Sequence, residues 1–238
     1  MLCVFASAVI DGVDAFVNAV IGGVLMTFKD PQDELLDVLD ASGTPTGEVK
    51  ARAAVHRDGD WHRCFHLWVV RDDGYVLVQR RSRHKDVEPN KIDTTVGGHF
   101  ASGETLAGVV REVEEEIGLS VHADALSYLE TRRLERHYPA MIDREFQDIY
   151  VLREQQPLEH YAPHRFELTA LYEAPLTRLI DLYEHGASLP VAGWDGYGRR
   201  NDALLSASDV IEHDRVQMAA TLKKVQAWLE MHLRLEQH

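Results

Sequence analysis

The residues most able to do chemistry together are Glu112, Glu115 and Glu116, in the stretch GGHFASGETLAGVVREVEEEIGL that runs from Gly97 to Leu119. A double glycine and a Gly-Glu turn lead into a segment of helical period. On a helix, residues three and four apart share a face, so the three carboxylates are expected to converge on one small volume. Carboxylates that close repel one another unless a cation sits among them. A hard divalent metal takes such oxygen ligands and can hold a phosphate on its far side. Leu106, Val109, Val110, Val113 and Ile117 also recur at helical spacing. Helix geometry centres that apolar stripe roughly 120° around from the glutamates, while Glu114 points elsewhere. One side of the helix is therefore core, with the metal face beside it; a helix that is merely solvated needs no such stripe.

The rest of the chain must supply the elements that position this helix. LLDVLD, from Leu35, reads as a strand followed by the turn-rich ASGTPTGE. FHLWVV and YVLVQRR, joined around Asp72-Asp73-Gly74, read as a hairpin of buried strands, and KIDTTVGGH as a short strand entering the glycine loop. ALSYLETRRLERH and FQDIYVLRE alternate as two further strands, and residues 168–174 add another. LTRLIDLYEHG reads as a helix ended by Gly186, and WDGYGRRN as an aromatic, glycine-containing loop. Ser208 is the expected N-cap of a long final helix with Val210, Ile211, Met218, Leu222, Val225 and Leu229 facing inward. This order of strands and helices predicts an α/β fold, a mixed sheet covered by helices on both faces.

Composition narrows the classes of partner. With 238 residues, 45% of them hydrophobic, one domain with a sizeable core and some appendage is expected. The formal charge of -14 repels nucleic-acid backbones and anionic membranes, which argues against both as partners. A small phosphorylated substrate is still compatible, since a metal and a few local cations would neutralise it. Cys3 and Cys64 are too few for a disulfide framework and lack metal-ligand spacing, so a reducing, cytoplasmic setting is expected. Residues 1–25 are apolar, but Asp11 and Asp14 interrupt them and no basic residue precedes the run, so neither a signal peptide nor a membrane span is read. Translation starting at Met26 is the expectation, with a helix packed on the domain or on a second subunit as the alternative. The apolar ends would suit a homodimer.

The glycine-to-leucine stretch resembles the signature of the Nudix hydrolases: glycine, five residues, Glu, seven residues, Arg-Glu, an aliphatic, any residue, Glu-Glu, any residue, Gly and an aliphatic. Arg111, Glu112, Val113, Glu115, Glu116, Gly118 and Leu119 fit its second half, and Gly98 with Glu104 its first. Six residues instead of seven separate Glu104 from Arg111, a one-residue deletion in the turn before the helix. The resemblance implies a Nudix-type α/β/α sandwich over residues 33–185, after an N-terminal segment 1–32 and followed by a loop and C-terminal helix, 186–238, packed on the same domain. It also implies a pyrophosphohydrolase using Mg2+, with Mn2+ as a substitute, bound by Glu112, Glu115 and Glu116. Arg111 would orient a glutamate, and Gly97 and Gly98 would allow close backbone approach to the substrate.

The flanking sequence resembles the Nudix branch that includes isopentenyl-diphosphate isomerase, in which three histidines and two glutamates hold one metal. His56, His62 and His99 lie where those histidines would be, with His56 and His62 one residue closer together than expected. His99, next to the glycines, is the foremost metal candidate of the three. Arg81 and Lys85 match positions that grip diphosphate, a role that suits a planar fork and a point charge. Where the isomerase has its cysteine, two residues before His99, this chain has Gly97. Allylic isomerisation needs proton donors and acceptors on both sides of the carbon skeleton, and glycine is neither. The expectation is therefore hydrolysis of a nucleoside diphosphate derivative or related organic pyrophosphate. An isomerase and a non-catalytic nucleotide-binding module are the alternatives. Glu145, Asp148 and Glu167 are candidates for an extra ligand or base.

Overall fold

The computed structural model describes residues 31–236 and the backbone of β1 (Asn18–Ile21) and β2 (Val24–Thr27), which pair antiparallel. The expectation of a start at Met26 falls mostly outside these residues, and 18–21 and 24–27 are extended where a helix was the alternative. The main sheet begins with β3 (Leu35–Leu39) and β4 (Pro45–Ala51), and the short helix α1 (Arg52–Asp58) follows. Gly59 ends α1 with φ at +71°, a conformation open to glycine, and turns the chain into β5 (Trp61–Val70). β6 (Tyr75–Arg81), β7 (Ile92–Asp93) and β8 (Val96–His99) lead into the glutamate-bearing segment.

That segment is not one helix. It breaks into α2 (Leu106–Val109) and α3 (Arg111–Ile117), with the Val113 N–H reaching back three residues to the Val110 carbonyl. β9 (Ser127–Tyr138) and β10 (Met141–Arg153) form a long hairpin. β11 (Leu168–Pro175), α4 (Leu176–His185), β12 (Leu189–Trp194), β13 (Ala203–Leu205) and α5 (Arg215–Leu235) complete the chain. The final helix starts later than its pattern predicts. Ser206 and Asp209 close a capping box on a single 3-10 turn, and Val210 is extended and bridges to Ile92. Val210 and Ile211 are buried as expected, but as extended chain leading to α5. No helix among the described residues is long and apolar enough to cross a membrane.

Strand order in the sheet is β13-β12-β11-β6-β5-β10-β9, and β10 runs parallel to β5 while the other pairs are antiparallel. β5 and β6 pair only at Val70 with Val76 and then diverge. β8 continues along β5, and β7 along β6. Backbone groups exposed by that divergence are satisfied by two buried threonines. Thr94 donates to the Leu67 carbonyl at 2.7 Å, and Thr95 donates to the Leu77 carbonyl and accepts from the Val69 N–H. A cleft therefore opens where the strands part, and it is held open by side chains the sequence supplies for that purpose.

Two cores flank the sheet. Phe65, Leu67 and Val69 pack with Val109, Val113 and Ile117 of the glutamate-bearing segment, each apolar side chain contributing roughly 1.5–3 kcal/mol. Trp68 and Val70, on the opposite face of β5, pack with α4 and α5 through Leu179, Tyr183, Met218, Leu222 and Val225.

Candidate active site

The glutamates stand on α3 at the lip of the cleft. Gly108 makes room for Glu104: a Cβ at 108 would come within 2.7 Å of the Glu104 Cγ. Glu104 accepts from the Ala101 N–H at 2.9 Å and lies 3.4 Å from the Arg111 Nε, despite the missing residue between them. Arg111 also binds Glu112 at 2.5 Å and Glu115 at 3.1 Å, standing between two of the three expected ligands. Glu116 points inward, is buried, and accepts from the Gln79 amide at 3.2 Å. Gly98 lies directly beneath α3, since a Cβ there would meet Glu112 Cγ and Cδ at 3.0 Å. Gly97, by contrast, has ordinary room toward Thr94 and His66.

All three glutamates line one cavity of about 560 Å³, together with Arg81, Lys85, Gly97, Gly98, His99, Arg111, Glu145 and Glu167. Arg81 is committed to Asp93 at 2.9 Å and to the Val87 carbonyl, and Lys85 forms an ion pair with Glu167. Asp148 points to the other side of β10, where it binds Arg63 and Thr131, and is not part of the lining.

The cavity floor is built by strand alternation. On β5, positions 62, 64 and 66 share a face, bearing His62, Cys64 and His66. The register sets Cys64 opposite His99 and His66 opposite Gly97 on β8, and Glu145 opposite His62 on β10. Asp143 lies two residues before Glu145 on the same face, and Arg136 of β9 lies opposite it. His56 arrives from α1. The rings of His56, His62 and His99 stand 5.0–5.6 Å apart, centre to centre. His56 and His62 each approach the Asp143 carboxylate, at 3.8 and 3.9 Å. Among the described residues, two groups of potential ligands have atoms within 4.8 Å of one another: His62, Cys64, His99 and Glu145, and His56, His62 and Asp143. The glutamates of α3 are in neither.

Electrostatics show which groups await a cation. Burial pushes Glu112 up to about 7 even though Arg111 opposes it, and pushes Glu116 well above the usual carboxylate range against Lys85. Two neighbouring acids whose charged forms are disfavoured, Glu116 buried and Glu112 half-buried, fit a divalent cation. On the floor, burial holds His62 and His66 below, and His99 well below, the usual imidazole value, so these rings stay neutral as metal ligation requires. The His62 Nδ1–H donates to the Asp60 carbonyl, at 3.3 Å, which leaves the Nε2 lone pair facing the cluster. Buried His62 Nε2, His99 Nε2 and Asp143 Oδ1 have no hydrogen-bond partner. Orphaned acceptor atoms that converge in this way fit a metal ion. Burial raises Glu145, but Arg136 and the imidazoles outweigh it and hold the carboxylate low, while burial and the Glu145 charge push Asp143 up.

Sequence reasoning overlooked Asp143, Arg136 and the place of Cys64, which shares the floor with His99 despite its distance along the chain. The alternation Asp143-Arg144-Glu145 is the one signal that could have found Asp143, since period two puts both acids on one face.

The NUDIX domain matches residues 60–179. Over 190 residues the chain is 34% identical to an uncharacterized Nudix hydrolase of Clostridium acetobutylicum, covering 76% of this chain and 92% of that protein. It is 36% identical over 149 residues to Nudix hydrolase 3 of Arabidopsis thaliana, covering 60% of this chain but 19% of that longer protein. It is also 30% identical over 163 residues to an isopentenyl-diphosphate Delta-isomerase of Streptomyces griseus, covering 67% of this chain and 79% of that one. With the glutamate-bearing segment at the mouth of a cleft in a mixed sheet, and the domain match spanning half its length, the chain belongs to the Nudix hydrolase superfamily.

Proposed function

We propose that this chain is a metal-dependent hydrolase that cleaves the pyrophosphate bond of a nucleoside diphosphate derivative or a related organic pyrophosphate. The observation that carries this reading is that one cavity is lined both by acids that burial drives toward their protonated forms, Glu112 and Glu116, and by the cations Arg81 and Lys85. Its volume suits a ligand of nucleotide size.

Glu112, Glu115 and Glu116 would hold Mg2+, with Mn2+ able to replace it, and His56, His62, His99, Asp143 and Glu145 would hold a second ion on the floor. Such ions supply Lewis acidity, neutralising pyrophosphate oxygens and acidifying an attacking water. Arg111 would fix the rotamers of Glu112 and Glu115 through its hydrogen bonds to both. Lys85 and Arg81 hold the leaving phosphate, with Lys85 exchanging Glu167 for a phosphate oxygen as substrate enters. Glu167, released from Lys85 at the cavity wall, is placed to take the proton of the water. Gln79 keeps Glu116 aimed into the cavity through its amide.

A second reading, an isomerase of allylic diphosphates, is favoured by the histidine floor. Against it stands Gly97, where the nearest polar atom to an added Cβ is the His66 Nε2 at 3.8 Å. One assay separates the two. The chain is incubated with Mg2+ and a panel of nucleoside diphosphates, dinucleoside polyphosphates, nucleotide sugars and isopentenyl diphosphate, and released phosphate and isomerised product are both measured. Hydrolysis of a panel member that falls by at least about 100-fold in Glu116→Gln is expected. Isomerised product without phosphate release, or an undiminished Glu116→Gln, overturns the hydrolase.

A further inference from the structure

Cys64 has no role in either reading above, yet it lines the cavity and belongs to a group of four potential ligands. Its side chain is buried at 2% exposure, and strand register sets it directly opposite His99. Two residues earlier on the same face, His62 presents an Nε2 that is fully buried and has no partner. His99 Nε2 is in the same state. Glu145 closes the fourth side from β10. The sulfur, two imidazole nitrogens and one carboxylate oxygen all lie within 4.8 Å of one another. Around a tetrahedral ion with bonds of 2.0–2.3 Å such atoms stand about 3.3–3.7 Å apart, so the four need draw together by only about 1 Å to hold one.

We propose that Cys64 is a metal ligand, and that His62, Cys64, His99 and Glu145 hold the floor ion as a four-coordinate set in place of His56 and Asp143, which makes it a thiophilic ion of the zinc or ferrous class. A thiolate and two imidazoles are poor ligands for Mg2+ and good ones for zinc. The carboxylates of α3 have the opposite preference, so one cavity would sort two kinds of ion onto two walls. As the metal–sulfur bond forms, the thiol proton passes to solvent, and no oxidant or reductant is needed. This assignment rests on the histidine floor and is independent of whether the substrate is hydrolysed.

The test uses Co2+ as a spectroscopic stand-in for zinc, in the full chain carrying Cys3→Ser so that Cys64 is the sole thiol. Metal-free protein is titrated with Co2+ and followed by absorbance, and bound ion is counted by elemental analysis. A near-ultraviolet sulfur-to-cobalt charge-transfer band that saturates at one ion is expected. Cys64→Ser should abolish that band and weaken Zn2+ binding by about tenfold or more, since even the loss of an outer-sphere partner costs that much. Cobalt bound without the band, with Cys64→Ser matching its parent in affinity, would show that Cys64 is no ligand while leaving the histidine centre intact. No bound cobalt at all would overturn both the thiolate and the histidine centre, and would leave hydrolysis to be judged by Glu116→Gln. The band is read on a chain with an unaltered floor, so a Cys64→Ser protein that fails to fold does not shield the assignment.

Discussion

A methyl group at position 98 should impair the proposed hydrolysis through Glu112. Gly98 has no backbone strain to relieve, but a Cβ there would stand 3.0 Å from both Cγ and Cδ of Glu112 and 3.3 Å from its Oε2. Ordinary contact begins at 3.4 Å, so the carboxylate must retreat by 3.4 minus 3.0, or about 0.4 Å, or turn away. Overpacking of that size costs about 1 kcal/mol in stability. A misplacement of about 1 Å in a catalytic group costs about 100-fold in rate, so about 0.4 Å translates into roughly five- to tenfold in kcat/KM. Gly97→Ala is the control one residue earlier. Its Cβ would meet Thr94 Cγ2 at 3.4 Å and His66 at 3.8 Å, both ordinary contacts, and activity should stay within about twofold. Both variants are assayed for phosphate release on the best substrate of the panel, alongside thermal melts. A fully active Gly98→Ala, or a Gly97→Ala that loses as much, would refute the placement of Glu112 at the reacting centre.

In the metal-free protein the stability contributed by Glu112 and Glu116 should fall as pH rises. Glu112 binds its proton up to about 7 when folded, against an ordinary 4.5, and Glu116 is shifted in the same direction. Between those values the folded chain holds protons that the unfolded chain has released, so the contribution is complete below 4.5 and lost as pH passes 7, on the order of 3 kcal/mol at most for Glu112. His62, His66 and His99, held low by burial, contribute with the opposite sign over the same range, so melts in chelator are compared with those of Glu112→Gln, in which only the glutamate contribution is removed. The stability difference should shrink as pH rises, and a difference that does not change with pH would mean the acid is neutralised some other way. Gly118 closes α3 with φ at +69° and has the Ala162 Cβ only 2.6 Å from where its own would lie. Gly118→Ala should therefore cost about 2–4 kcal/mol, read from denaturant midpoints, and a loss under about 0.5 kcal/mol would contradict the packing.

The helix glutamates were legible in the sequence because ligands and apolar stripe lie on one contiguous stretch, where spacing alone fixes their faces. The break at Val110 was not, since Gly108 and Glu104 settle it through a side chain crossing the turn. The histidine floor was half legible. His56, His62 and His99 could be picked out by resemblance, but Cys64 meets His99 only through the β5–β8 register, and Glu145 meets His62 only through a parallel pairing across more than eighty residues. Register between distant strands is decided by the whole sheet, and no local pattern carries it. The late start of α5 has the same origin: Val210 is periodic with the helix but is claimed by Ile92 in the sheet.

Asp214, where the chain enters α5, is wholly buried and grips Arg136, and Arg136 reaches the Asp143 carboxylate at 3.2 Å on its other side. The entry to the last helix and the histidine floor are thus joined through one guanidinium. Removing the helix would strand a buried cation beside the very carboxylates it balances. Descendants of this chain can vary the outward face of that helix, but cannot discard it without rebalancing a floor that lies 78 residues away along the chain and next to it in space.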